Sequence, residues 1–308
     1  MSILMLGLNH KVAPIDVREQ FYLNNIQQEL LLSELKCNPS VVEAFVISTC
    51  NRIEIYVNLI DDTLNIPSFI KHLCSIKNIE YTSQFDEYFY NYSQSKAIKH
   101  LLEVITGLDS LVLGEKQILG QVKASFEQAR NKAMLGKDFN ILANLAIRTG
   151  KKVRTETQID IGGSSVSWAA IRQAEKELTT LEDKSVLMIG AGEMSTLAVG
   201  QVHSKGFHKL FLMNRTPENA RKLADRFDGE YVAFCDIKEV LAKTDLCICS
   251  SSAPHYIIDH TVVEKALALR DDKPLLFIDI SMPRNLDPKI ATLDNVTLYH
   301  IDDLKIVV

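Results

Sequence analysis

The chain has 308 residues, 46% hydrophobic and 24% charged, with a net charge of −5. That balance describes an ordinary folded chain long enough for two cores, excludes a disordered or fibrous protein, and on average argues against a nucleic-acid partner. No apolar run approaches a membrane span, "MSILMLGLNH" lacks the pattern of a secretory signal, and six scattered cysteines fit free thiols in a reducing compartment, so a cytoplasmic location with no membrane partner is expected.

In chain order, "SILMLGLN" reads as a first strand, and Pro14 opens a short helix. Residues 25–36 form an amphipathic helix pattern, and two apolar strands flank the polar break at Cys50 in "VISTCNRIEIYV". "IPSFIKHLCSI" and "SQSKAIKHLLEVITGL" are further helices, the second started by Ser93 or Ser95 and stopped by Gly107. From Gln117 to Leu181 the pattern is almost wholly helical, broken near Gly136 and at Gly162–Gly163. Between Lys116 and Arg154, nine basic residues meet two acidic ones, a local balance of +7 that fits either a solvated helical face or a phosphate-backbone contact.

At Asp183 the rhythm changes to short apolar strands, "KSVLMIG", "KLFLMN", "EYVAF", "DLCICSS" and "PLLFIDIS", alternating with helices. This spacing predicts βαβ units and a parallel sheet. The expected organisation is a mixed α/β first domain at 1–155, a linking helix at 156–182, and a Rossmann-like nucleotide domain at 183–308.

In "IGAGEMS", Gly190 and Gly192 follow a buried strand and open a helix, the setting of a dinucleotide pyrophosphate turn. Ala191, Glu193 and Met194 belong to the same stretch, and Ser195 replaces the usual third glycine. The next strand ends in Asn214, Arg215 and Thr216, where readers of an unphosphorylated ribose carry an acid. Arg215 suits a 2′-phosphate, so NADPH is the expected cofactor. Cys50, at a strand end two residues from Arg52, is a candidate nucleophile, a buried structural thiol being the other reading. No Cys or His cluster has zinc spacing, so no metal site is expected.

A thiol in one domain and a nicotinamide turn in the other fit a thioester reduced by hydride. "LGLNHKVAPIDVRE", "STCNRIEIY", "GLDSLVLGEKQILGQVK", "KKVRTET" and "IGAGEMS", in that order, resemble the glutamyl-tRNA reductase family of tetrapyrrole biosynthesis. The resemblance implies that Cys50 attacks the ester of glutamyl-tRNA, and that hydride from NADPH releases glutamate-1-semialdehyde. It places Thr49, Asn51 and Arg52 in the substrate pocket, with the Arg52 fork on the glutamate side-chain carboxylate. Ser110, Glu115, Lys116, Gln117 and Gln121 match the stretch that lines the substrate, with Glu115 for the α-ammonium. His100 matches a histidine linked to activity, as acid–base group or positioning residue. The resemblance further implies glutamyl-tRNA as partner and glutamate-1-semialdehyde aminomutase as recipient of the product. Members are homodimers that continue into a helical dimerisation domain, whereas this sequence stops at "DDLKIVV", so a largely monomeric protein is expected. The alternatives are a non-catalytic regulatory paralogue that binds NADP and a generic NADP dehydrogenase.

Overall fold

The apolar alternation of the first half builds an antiparallel sheet with helices packed on it. In this computed structural model, which describes residues 2–60, 65–159 and 165–307, β1 (Ser2–Asn9) leads through α1 (Ile15–Phe21) and α2 (Asn25–Cys37) to β2 (Val41–Ser48) and β3 (Arg52–Leu59). Then come α3 (Ile66–Lys77), β4 (Tyr90–Ser93), α4 (Gln94–Thr106), α5 (Gln117–Asn131) and α6 (Lys137–Glu156). The strand order is β2-β3-β1-β4, all pairs antiparallel. β3 is therefore interior, and it is buried along its whole length. Its polar residues must find partners inside the protein.

Local signals set the boundaries of these helices. Asn24 and Gln27 form a reciprocal capping box at the start of α2. Gly107, left-handed at φ +84°, ends α4, as its position in the sequence predicts. Ser93 stands at the head of α4 without a side-chain capping bond. The core centres on Phe45, which stacks on Tyr56 at 4.5 Å and meets Phe126 and Phe139 edge-on at 4.8 and 5.3 Å.

The chain divides into two compact units, Met1–Ser164 and Ser165–Val308. The expected helix break at Gly162–Gly163 lies outside the described residues. The second unit begins with α7 (Val166–Leu178), which packs on the helix Glu193–Lys205. Its remaining elements are β5 (Ser185–Ile189), α8 (Glu193–Lys205), β6 (Lys209–Met213), α9 (Pro217–Arg226), β7 (Glu230–Tyr231), α10 (Ile237–Leu241), β8 (Leu246–Cys249), α11 (His260–Leu267), β9 (Leu275–Asp279) and β10 (Val296–His300). Six parallel strands run in the order β10-β9-β8-β5-β6-β7. This is the α/β parallel sheet that the strand rhythm predicts. The order reverses between β5 and β8, and such a switch point opens a ligand crevice at the strands' carboxyl ends. β10 is an addition to the sequence reading, and "EYVAF" contributes only Glu230–Tyr231 as strand. Among the described residues no helix is long and apolar enough to cross a membrane.

Candidate active site

β2 and β3 meet in a tight hairpin whose tip is Cys50–Asn51. The Thr49 N–H donates to the Arg52 carbonyl at 2.8 Å, which closes the turn. Thr49 Oγ1 accepts from the backbone N–H groups of Asn51 and Arg52, both at 3.2 Å. Arg18, buried on α1, donates to the Cys50 carbonyl at 2.8 Å and to the Ala13 carbonyl at 3.2 Å. The His10 N–H donates to the Asn51 carbonyl at 3.0 Å. The thiol of half-buried Cys50 therefore rides on a backbone held from three directions.

The thiol is not activated at rest. Loss of solvent pushes it up to about 12, and the negative charge of Glu115 adds to that; Arg18, the residue's own N–H and Arg52 pull the other way without prevailing. Arg52 does favour the thiolate, though less than Arg18 does. The Arg52 guanidinium, 1% exposed, is engaged elsewhere: Nη1 donates to Glu54 Oε1 at 2.7 Å and to Asp109 Oδ2 at 2.9 Å, and Nη2 to the Asp109 carbonyl.

Glu54 is the hub of this buried network. Its Oε1 also accepts from the Tyr90 hydroxyl at 2.8 Å and meets His100 Nε2 at 2.8 Å, while Oε2 accepts from the Tyr56 hydroxyl at 2.9 Å. Burial opposes its charge, but Arg52 and the hydrogen bond from His100 hold the carboxyl well below the usual range. An ionised carboxylate only accepts, so His100 Nε2 carries the proton. His100 is buried and turned to Glu54, with its ring against Tyr90 and Tyr92 at 5.6 and 5.1 Å. The structure therefore gives it a positioning contact through Glu54.

The loop after α4 carries Ser110 and Glu115, and Gln117 and Gln121 follow one turn apart on α5. Arg154 on α6 donates to the Glu115 carbonyl at 3.0 Å and to the Ile105 and Gly150 carbonyls at 3.0 and 2.9 Å, which pins that loop to two helices. The Glu115 carboxyl is 5% exposed; burial pushes it up to about 7 against the opposing influence of Arg52 and the Ser110 hydroxyl. Lys116 is exposed. Asn51 Nδ2 and both amide atoms of Gln117 are buried with no partner among the described residues. Buried amides left unpaired cost free energy, and a polar ligand would relieve it.

In the second unit, Gly190 ends β5 at φ +109°, and a Cβ there would stand 2.0 Å from the Ser250 carbonyl. Only glycine fits. Nothing lies within 4 Å of a Cβ on Gly192, which caps α8 with its backbone open to the outside. That pair leaves an open turn at a helix N-terminus that could hold a pyrophosphate, with Ala191, Glu193 and Met194 beside it. Ser195 is buried and donates to the Ser250 carbonyl at 3.0 Å, tying α8 to the end of β8. Asn214 Nδ2 donates to the Thr216 carbonyl at 2.9 Å, and Arg215 beside it is exposed at the end of β6.

The family model for "Glutamyl-tRNAGlu reductase, N-terminal domain" matches residues 6–157, and that for "Shikimate / quinate 5-dehydrogenase" matches 172–307. Over its full length the chain is 42% identical to glutamyl-tRNA reductase of Thermodesulfovibrio yellowstonii and covers 73% of that protein. The chain belongs to the glutamyl-tRNA reductase family. It is also 39% identical to the Citrifermentans bemidjiense reductase, of which it covers 71%. A solved structure of the Methanopyrus kandleri glutamyl-tRNA reductase aligns with 99% of this chain and 72% of its own, at 30% identity and a TM-score of 0.49. The chain is accordingly an oxidoreductase, and its dehydrogenase-type second unit implies a nicotinamide cofactor.

Within this reductase the expected pocket residues Thr49, Cys50, Asn51 and Arg52 share one hairpin tip, and Arg52 connects them electrostatically to Glu115 and to Asp109. Arg18, Glu54, Tyr90 and Asp109 escaped the sequence reading. Glu54 alone left a signal, since residues two apart on a strand share a face and Glu54 thereby joins Arg52. A further framing device was also missed. Buried Asp279 accepts from the N–H groups of Ser281, Asn285 and Leu286 at 2.9, 2.7 and 2.9 Å and shapes the loop after β9 at the crevice.

Proposed function

We propose that the chain reduces the glutamyl ester of glutamyl-tRNA to glutamate-1-semialdehyde with NADPH, through a glutamyl thioester on Cys50. Support comes first from one observation: half-buried Cys50 sits at the tip of a hydrogen-bonded hairpin whose surroundings hold an ionisable Glu115 and unpaired amides on Asn51 and Gln117.

In the acyl transfer, the Cys50 sulfur bonds to the ester carbon and the carbon–oxygen bond to the terminal ribose breaks. The thiol proton leaves with the tRNA hydroxyl. A substrate ammonium seated on Glu115 cancels the lesser of the two influences that raise the thiol, burial being the greater, so the correct amino acid lowers part of the cost of its own attack. Arg52 receives the side-chain carboxylate, and Asn51 and Gln117 pair with the remaining polar groups of the acyl moiety. Gly190, Gly192 and Ser195 would hold the pyrophosphate of a reduced nicotinamide dinucleotide, which would supply hydride. On the protein's side the carbon–sulfur bond of the thioester breaks, and Cys50 is returned as thiolate while the acyl group leaves as aldehyde. Arg215 reads the 2′-phosphate. The covalent bond keeps the acyl group in place after tRNA has left.

Conversion of glutamyl-tRNA by wild type and by Cys50→Ser tests this reading. Wild type should form the aldehyde; the serine variant should form none and bind NADPH as before. Aldehyde formation by the variant at a comparable rate would dismiss Cys50 as the acyl carrier.

A further inference from the structure

Asp109 holds Arg52 where the proposed function puts the substrate's side-chain carboxylate. The inference below rests on that reading of Arg52. Among the groups ion-paired at the guanidinium the charges already balance: Arg52 and Lys11 face Glu54 and Asp109, with Lys11 paired to Asp109 Oδ1 and Arg52 to Oδ2. A third carboxylate would leave an uncompensated negative charge in a buried place, an expensive arrangement. One of the two resident carboxylates has to yield.

Glu54 is not the one. It is fully buried and accepts from Tyr56, Tyr90 and His100 besides Arg52. Asp109 differs in every respect. Its side chain is 14% exposed, its second partner Lys11 is 55% exposed, and both have water to move into. Its loop also has a hinge. Gly107 and Gly114 are both left-handed, and the Gly114 N–H donates to the Gly107 carbonyl at 3.0 Å, so residues 108–113 hang from a closed neck. Leu108 and Leu113 on this loop are exposed and Leu111 is half-buried, so lifting it uncovers one fully buried apolar side chain, that of Val112.

We propose that Asp109 is a built-in stand-in for the substrate carboxylate: it neutralises Arg52 in the free protein and withdraws with Lys11 when the glutamyl carboxylate arrives. Arg52 is thereby never left buried and unpaired. Only an acyl group that brings its own charge displaces the stand-in well, so Asp109 contributes to selection of glutamyl over glutaminyl substrates.

Steady-state kinetics of wild type and Asp109→Asn with glutamyl-tRNA and glutaminyl-tRNA test this, with hydrogen exchange on wild type as a readout that needs no variant. Asparagine removes the competing charge and keeps the size, so KM for glutamyl-tRNA should fall three-fold or more, with kcat little changed. In wild type, amides of the 108–113 loop should lose protection once glutamyl-tRNA is bound. An unchanged or higher KM in a variant with wild-type melting, or a loop equally protected with substrate, would overturn the proposal and make Asp109 a fixed support for Arg52. Absence of any preference of wild type for glutamyl over glutaminyl substrate would mark a different failure, that of the carboxylate reading of Arg52 itself, and would remove the proposal with it.

Discussion

Glu115 makes ionisation of Cys50 more costly, and its own burial makes the stability of the fold depend on pH. Burial pushes the Glu115 carboxyl from its ordinary 4.5 up to about 7. Between those values the folded chain binds this proton more tightly than the unfolded chain does, so stability falls as pH rises through the window and levels off above 7. The full effect is about 3 kcal/mol at one pKa unit per 1.36 kcal/mol. Glu115→Gln should therefore unfold in urea like wild type at pH 4.5 and be more stable by about that amount at pH 8, while losing most of its affinity for the aminoacyl substrate. A variant no more stable than wild type at pH 8 would show that Glu115 is solvated. The cysteine was legible as a candidate because polarity breaks around it; the positions of its partners were not. Arg18 and Cys50 are 32 residues apart and Arg52 and Asp109 are 57 apart, and no local pattern encodes such pairs.

Elements turn these residues into a site. The β2–β3 hairpin makes the tip rigid because Thr49 spends its hydroxyl oxygen on two backbone donors, and the Gly190 turn exists because no Cβ fits against Ser250. At the end of β6, Arg215 is free to meet a phosphate. Arg215→Ala should weaken NADPH by about 1.5–3 kcal/mol, the range for hydrogen bonds to a charged group, with little loss for NADH. Titration of both cofactors checks it, and equal losses would remove Arg215 as the 2′-phosphate reader. Periodicity gave most helices and the buried strands, where one face or both are apolar throughout. It failed for β4 and β10, short strands that are half exposed and carry polar residues, so that alternation is lost in the surrounding loops. Serine at position 195 hid part of the cofactor fingerprint, yet its bond to Ser250 ties the helix to the adjoining strand end.

At the scale of the whole molecule, the overall charge of −5 conceals a basic segment, and the structure revises how much of it is available. Arg154 is spent on three backbone carbonyls, and Arg130, Lys132 and Lys152 pair with Glu127, Glu29 and Glu156. Lys116, Lys137, Arg148 and Lys151 remain exposed. If α6 offers phosphates a contact through Arg148 and Lys151, tRNA affinity should fall steeply with salt, and a double alanine variant should lower the slope of log K against log salt by about 1 to 2. Filter binding over a salt series measures this. A slope shared by wild type and variant would place the tRNA contact elsewhere. Each unit has its own sheet, and the proposed function assigns acyl transfer to the first and cofactor binding to the second.

The central claim, that the acyl group rests on Cys50 between two chemical steps, is open to direct observation by intact mass. Mixing with glutamyl-tRNA in the absence of cofactor should add one glutamyl group, mapped to Cys50 by peptide sequencing and absent from Cys50→Ser. Addition of NADPH should then discharge it into an equal amount of glutamate-1-semialdehyde. Aldehyde formed in a single turnover with no adduct on Cys50 beforehand, or an adduct that NADPH leaves in place, would contradict the account.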